Sequence, residues 1–382
     1  MALKGPLGFG MMRLPVRGGD PTDFDYEQIC QMVDEFMAAG FTYFDTSHIY
    51  HEGRSEEATR KAVVERHARD SFTVATKYPT FHMSGEAEIE PVFASQLENL
   101  GVDYVDYYLL HNVHTINYDG IDGRGGTVRR YRLFDHARRW VEQGKVRHLG
   151  ISFHSSAALL NRILTEHPEI EFVQIALNYI DADSELIQGR DVFDTVRRHG
   201  RRVVIMQPVK GGGLSQVPPQ VAAMLRARDP QATPAEWALR YAGSFDGVMA
   251  TLSGMSTIEQ VRENVRSTKT LEPLEADDFA FLHDVARAYR DAGEIGADLS
   301  RFAGLTYHGA PVTAILEAYN ICRLMPDPTF CADHNYLKNT VAENAHLDLF
   351  GDLPAERVIL ADGTDETDLV ARAERWLAEN SF

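Results

Sequence analysis

Apolar residues along the chain fall into two alternating spacings. Short β-rich runs stand at residues 7–12, 42–46, 73–76, 107–110, 148–152, 173–177, 203–207 and 248–252. Between them, apolar positions recur three and four residues apart over 26–39, 56–69, 87–100, 134–143, 157–166, 191–198 and 235–241. That is the spacing of one buried helix face. Asp25 and Ser55 stand where two of these helices need N-caps, and Gly40, Gly101, Gly144 and Gly200 follow the ends of four. Strands alternating with helices predict parallel βα units. Eight units over about 270 residues fit a (β/α)8 TIM barrel, whereas a doubly wound sheet usually has fewer strands. A barrel of this kind places its chemistry at the C-terminal strand ends.

The alternation stops near Leu274. The expected organisation is therefore a barrel over residues 1–274 and a mainly helical C-terminal extension over 275–382, with helical patterns at 277–291, 313–319 and 366–377. One long loop, 112–132, carries Asp119, Gly120, Asp122, Gly123, Gly125 and Gly126. Such a loop either shapes a substrate pocket or is a mobile surface insertion.

Composition narrows the function classes. Of 382 residues, 38 are Lys or Arg and 56 are Asp or Glu, a net charge of −18. So acidic a chain argues against nucleic acid and anionic membranes as partners. Cys30, Cys322 and Cys331 are too few for a disulfide scaffold. No apolar run reaches transmembrane length, and the first residues lack the features of a signal peptide, so a cytoplasmic protein is expected.

The predicted strand ends carry titratable groups. Strand 2 ends in Phe44-Asp45-Thr46, with Tyr50 close behind; strand 3 ends in Lys77; strand 4 ends in His111. Singly, Lys77 reads as a solvated lysine, His111 as a core histidine and Asp45 as a turn cap. Together on the catalytic rim they suggest carbonyl chemistry. An ammonium beside a phenol favours the phenolate, so Lys77 is expected to lower the Tyr50 pKa, with Asp45 holding Lys77 in place. His111 can orient a carbonyl oxygen. The set contains no electron donor, so a hydride-carrying cofactor is needed.

Signals for that cofactor lie across the barrel. Strand 7 runs into Gln207-Pro208-Val209-Lys210-Gly211-Gly212-Gly213-Leu214, small residues with a cation where barrels often hold phosphate. Strand 8 is followed by Ser253-Gly254-Met255-Ser256-Thr257 and a helix through Glu263 and Asn264. A glycine triplet alone is more often only a turn. No Gly-x-Gly-x-x-Gly is present, so a Rossmann domain is not supported.

These motifs together resemble the aldo/keto reductase superfamily. Phe44-Asp45-Thr46-Ser47 with Tyr50, Lys77 and Leu109-Leu110-His111 are similar to its Asp-Tyr-Lys-His tetrad, over a resemblance spanning residues 3–274. It implies NADP(H) or NAD(H) bound without a Rossmann fold, and a small-molecule carbonyl or alcohol as substrate. Carried over, Tyr50 is the general acid and base, tuned by Lys77 and Asp45, and His111 orients the carbonyl. Ser152 and Gln174 resemble the contacts to the nicotinamide amide. Gly10, Met11, Met206, Gln207, Lys210, Gly212, Ser256, Gln260, Glu263 and Asn264 resemble the remaining cofactor contacts. Met206 stands where many relatives stack an aromatic ring on the nicotinamide. Gly254 and Gln260 are uncharged where NADPH-preferring relatives carry basic residues, which leaves NAD as an alternative and Arg262, Arg266 or Lys210 as substitutes.

Residues 9–15, 150–154 and 208–214 resemble a bacterial branch that carries a C-terminal ferredoxin-like segment. In that branch a cysteine cluster precedes a stretch similar to 309–320. Here residues 294–308 hold no cysteine, and Cys322 and Cys331 cannot supply four thiolates, so no iron–sulfur cluster is expected. Three rivals remain: an aldolase using Lys77 as Schiff-base nucleophile, a non-catalytic nucleotide-binding redox sensor, and a metal hydrolase using the pairs His48/His51 and His111/His114. Against the last, the histidines fall in predicted loops, and no metal site is expected. His154 reads equally as pocket-lining or structural. Tyr307, Tyr319, Phe330 and Tyr336 either close over a substrate or pack the extension on the barrel.

Overall fold

A computed structural model describes residues 6–81, 83–121, 123–270, 272–345 and 353–381. Eight parallel strands close into a barrel in sequence order: β1 Leu7–Gly10, β2 Tyr43–Asp45, β3 Thr73–Tyr78, β4 Val105–Val113, β5 Val146–Phe153, β6 Phe172–Ala176, β7 Arg202–Met206 and β8 Val248–Gly254. β1 closes on β8 with Phe9 opposite Ser253. The junction is tight because β1 offers little side chain: a Cβ on Gly8 would lie 2.7 Å from Leu252.

Two apolar layers explain the pattern along the chain. Tyr43, Ala75, Leu109, Phe172, Val204, Ala250 and Leu252 fill the barrel itself. Alternate residues, among them Phe44, Val74, Tyr108, Val173 and Val203, face outward into the core beneath the helices. Strands buried on both faces read as continuous apolar runs, which is how the sequence shows them.

All eight strands form where the apolar runs predict them, with shifted ends. β1 stops at Gly10, and Met11–Arg13 turns as a 3-10 helix. The helix expected over 56–69 breaks into Ser55–Thr59, a π turn Arg60–Val64 and a 3-10 turn Arg69–Ser71. Asp25 caps Tyr26–Ala38 by accepting from the Gln28 N–H. Ser55 caps nothing: it is the first helical residue, and its hydroxyl donates to the Met11 carbonyl at 3.0 Å. Gly101 ends Ile89–Leu100 at φ 67°, a left-handed cap suited to glycine.

The helix Ala276–Asp291 buries Leu282, Val285, Ala286 and Tyr289 in the barrel's outer core, although it follows the expected boundary at Leu274. A separate apolar cluster begins beyond it, joining Phe302, Ile315, Tyr319, Leu337, Val341, Val370 and Leu377 with Leu186 and Ile187 of the barrel. Helices Val312–Cys322, Asp333–Ala345 and Thr367–Asn380 and a short hairpin, β9 Thr306–Tyr307 with β10 Ala310–Pro311, carry this cluster. The extension covers the C-terminal rim. Pro328–Phe330 packs on Lys210–Ser215, and Asp333–Ala345 packs on Thr115–Tyr118.

The long loop after β4 folds into Thr115–Tyr118 and Thr127–Arg130. Asn117, Tyr118 and Val128 are buried, and Asp119 pairs with Arg129 and Arg162, so this loop is a packed part of the rim. Asp122 lies outside the described residues. Among the described residues no helix is long and apolar enough to cross a membrane.

Candidate active site

Adjacent strands deliver the tetrad to one point. Asp45 ends β2, Lys77 lies one residue before the end of β3, and His111 lies in β4. The strand register sets Asp45 beside Ala75 and Lys77 beside Leu109. Lys77 Nζ donates to Asp45 Oδ1 at 2.5 Å, to the Thr46 carbonyl at 2.8 Å and to the Tyr50 hydroxyl at 3.3 Å. Tyr50 is held by the turn after β2, where its carbonyl accepts from the N–H groups of Gly53 and Ser55. Its ring meets the His111 ring edge-on at 5.8 Å. His111 Nδ1 lies 3.0 Å from Ser47 Oγ, and Phe81 flanks the same ring at 5.7 Å.

The electrostatics differ in one respect from expectation. Burial lifts the Tyr50 pKa above that of an ordinary phenol, and the pull of Lys77 only partly offsets it. Lys77 therefore moderates a raised pKa, and its net effect is not a depressed one. Burial works against the Lys77 ammonium, but Asp45 and Tyr50 outweigh it and hold the pKa above the ordinary lysine value. Burial raises the Asp45 carboxyl, with Lys77 pulling against it. A charged, carboxylate-bound lysine is no Schiff-base nucleophile.

A second network positions Lys77 and was not read from the sequence. Glu56 is fully buried and accepts from Thr76 Oγ1 at 2.6 Å and Gln96 Nε2 at 2.9 Å. Gln96 also donates to the Lys77 carbonyl at 3.0 Å. A glutamate on an apolar helix face was the available signal.

The expected cofactor residues divide. Ser152, one residue before the end of β5, and Gln174, in the middle of β6, are both buried, and Gln174 Nε2 lies 3.8 Å from the sulfur of Met206 at the end of β7. Gln174 Oε1 and Gln207 Oε1 are buried acceptors with no hydrogen-bond partner among the described residues. Buried orphan acceptors of this kind suit a carboxamide donor. Gly10 lies against Ser253 and Gly254, and Gly212, at φ 93°, lies beside Arg13. Gln260 accepts from the Ser256 N–H at 2.7 Å, and Asn264 donates to Ser253 Oγ at 2.9 Å.

Three expectations need correction. Met11 is fully buried in the core, so its side chain cannot line a cofactor cleft. Lys210 is 1% exposed and donates to Asp181 Oδ1 at 2.7 Å and Asp333 Oδ2 at 3.1 Å, so its charge is spent inward and not on a phosphate. Glu263 turns sideways to accept from Thr233 Oγ1 at 2.8 Å. The proposed substitutes for a basic adenine-end contact are engaged as well, Arg262 with Glu35 and Arg266 with Glu236. Another cation, Arg13, stands near the loop after β7 and the end of β8. Its guanidinium lies 3.8 Å above the Phe330 ring and donates to the Gly211 carbonyl at 2.7 Å, while its aliphatic stem lies against Gly254. The arginine following the glycine-rich end of β1 was its signal in the sequence.

Among the described residues, three of these histidines make other contacts. His48 reaches Glu56, His51 Nε2 accepts from the Leu14 N–H, and His114 Nδ1 accepts from the Ile116 N–H. Cys322, Cys331 and Asp333 do converge, all buried, beside Lys210. Of the four tail aromatics, Phe330 packs on Arg13 and Tyr336 lies beside His154; Tyr336, Tyr319 and Tyr307 are all buried in the extension's apolar cluster.

Residues 6–287 match the model of the aldo/keto reductase family. The chain is 28% identical over 227 residues to aldo-keto reductase str7 of Strobilurus tenacellus, covering 56% of this chain and 61% of that protein. It thus spans about three-fifths of that relative's length. It is 25% identical to the uncharacterized oxidoreductase YqkF of Bacillus subtilis, covering 68% and 89%. Its fold is similar to an aldo-keto reductase from Klebsiella pneumoniae in complex with NADPH, with a TM-score of 0.58 and 21% identity, covering 76% of this chain and 96% of that one.

Proposed function

Because the chain belongs to the aldo/keto reductase family, we propose that it is an NAD(P)(H)-dependent oxidoreductase interconverting a small carbonyl compound and its alcohol. The observation that carries this reading is the buried Lys77 bridging Asp45 and the Tyr50 hydroxyl at the barrel rim. When bound, the nicotinamide supplies the hydride. Tyr50 supplies the proton to the carbonyl oxygen and takes it back in the reverse direction. Its raised pKa keeps the hydroxyl protonated before reaction. Lys77 lies close enough to stabilise the phenolate that proton transfer leaves behind. His111, fixed through Nδ1 by Ser47, directs its other nitrogen's hydrogen bonding toward the carbonyl oxygen.

Gln174 and Gln207, with their unpartnered oxygens, and Ser152 would hold the carboxamide. Gly212 and Gly254 let the Arg13 side chain pack closely against them, and the Arg13 fork suits a phosphate. The NADPH bound by the Klebsiella pneumoniae neighbour favours NADP(H) as the cofactor, with NAD(H) the alternative. A cytoplasmic setting, with abundant reduced nicotinamide, suits the reading. The test is a fluorescence titration with NADPH and with NADH. Saturable binding of either supports it, and binding of neither overturns it.

A further inference from the structure

The barrel mouth has a wall that the tetrad does not use. It is made by the residue after β5 and by the extension helix Asp333–Ala345. His154 is fixed there on three sides. Its backbone N–H donates to the Val113 carbonyl at 3.0 Å, and its own carbonyl accepts from Asn339 Nδ2. The imidazole lies 5.8 Å from the Tyr336 ring, and its Nε2 lies 3.2 Å from Ser152 Oγ. The residue is 6% exposed, yet Nδ1 has no hydrogen-bond partner among the described residues. On the neighbouring strand, Asn112 Oδ1 is likewise buried and unpartnered. Buried polar atoms are almost always paired, so an orphan at an active-site mouth marks a place for a ligand group.

The chemistry of that group follows from what surrounds it. Burial, then the charge of Lys77, holds His154 neutral, with a pKa of about 3. The titratable groups whose charges couple to it are Lys77 from β3 and His114 from beyond β4. A neutral imidazole cannot balance a carboxylate or phosphate, and Lys77 is already committed to Asp45. An alkyl or aryl group would leave Nδ1 unpaired. A hydroxyl satisfies either tautomer. If Ser152 donates to Nε2, then Nδ1–H donates to the substrate; if Nε2–H donates to Ser152, then Nδ1 accepts.

We propose that His154, clamped by Tyr336 and Asn339 of the extension, is a specificity-determining residue that binds a hydroxyl of the substrate through Nδ1, so that the substrates are hydroxylated aldehydes or ketones. This rests on the carbonyl-reductase reading. It gives the extension a role in choosing the substrate, through the two side chains that fix the ring.

The experiment compares kcat/KM for glyceraldehyde and for propanal, with NADPH, in the full-length wild type, His154→Leu and His154→Gln. The wild type is expected to favour glyceraldehyde by about tenfold or more. In His154→Leu that ratio falls to about unity, whatever the change in overall rate, and His154→Gln, which can still donate and accept, keeps part of it. A purely structural role would depress both aldehydes together and leave the ratio standing. A wild-type ratio near one, which needs no variant to fold, or an unchanged ratio in His154→Leu overturns the proposal while the reductase reading survives. If neither aldehyde draws on NADPH and NADPH does not bind, the reductase reading itself falls, and the proposal with it.

Discussion

A phenol with an ordinary pKa of about 10 is a reluctant proton donor near neutrality. At Tyr50 burial makes it more reluctant, and Lys77 pulls the other way. The two effects separate in time: the ground state keeps the proton, and the ammonium 3.3 Å away gains its full value only as negative charge develops on the oxygen. Tyr50→Phe is therefore expected to lower kcat by ~10²–10⁴-fold while leaving the Kd for NADPH within about threefold. Stopped-flow turnover and fluorescence titration on the same preparation check both halves. Unimpaired carbonyl reduction would remove Tyr50 from its role.

The histidines at the mouth give a stability prediction of definite sign. His114 and His154 have pKa values of about 3 in the fold, against about 6.5 for an unperturbed histidine. Between those values the unfolded chain binds more protons than the folded one, so stability falls as the pH falls through that window. Above it, both states are neutral and the effect vanishes. From pH 6.5 to 5 the loss is about 1.6 kcal/mol for each residue. Urea denaturation at pH 7 and pH 5 should show it, and the double variant His114→Asn/His154→Asn should flatten the dependence. His114 caps Thr115–Tyr118, and asparagine preserves that cap. An equal pH dependence in the double variant would contradict the assignment.

At the scale of elements, the loop after β7 owes its shape to an ion cluster. Lys210 lies between Asp181, which follows β6, and Asp333, which begins an extension helix. Breaking such a buried cluster by removing its cation leaves two carboxylates without a partner and costs about 3–5 kcal/mol. Lys210→Met should lose that much stability in thermal or urea unfolding, with the NADPH-to-NADH affinity ratio unchanged. A shift in that ratio would restore Lys210 to phosphate binding. The residue also shows where sequence reading stops. A lysine beside three glycines reads as a phosphate contact because its partners, 29 and 123 positions away, carry no local mark. The strands were legible because burial on both faces writes an apolar run into each one. The tetrad was legible because successive strand ends share one rim. The helix Asp333–Ala345 was not legible, since its polar residues Asp333, Asn339 and Glu343 spend their side chains on the barrel and erase the amphipathic period. Met11 misled for the opposite reason: it belongs to a motif that lines a cleft, but its own side chain points into the core.

Across the whole molecule, barrel and extension share apolar packing, with Ala176, Leu186 and Ile187 in the extension's cluster and Ile321 in the barrel's, and they share polar ties as well. Asn339 holds His154, Glu343 accepts from Ser156, Thr313 donates to Glu185, and Arg290 pairs with Glu317. Several of these ties end on the rim that carries the candidate chemistry, so the extension is a structural part of the mouth. Barrel and extension should accordingly unfold in one transition, with near-ultraviolet circular dichroism and tryptophan fluorescence giving coincident urea curves. Two separated transitions would mean that the extension is an independent appendage. The central claim is direct hydride transfer at this mouth. Its most direct test uses NADPH deuterated at the nicotinamide C4 and follows the label by mass spectrometry into the alcohol formed from glyceraldehyde or propanal. The account predicts one deuterium on the former carbonyl carbon in wild type and almost no labelled product from Tyr50→Phe. An alcohol formed without deuterium, or label transfer undiminished in Tyr50→Phe, would contradict it.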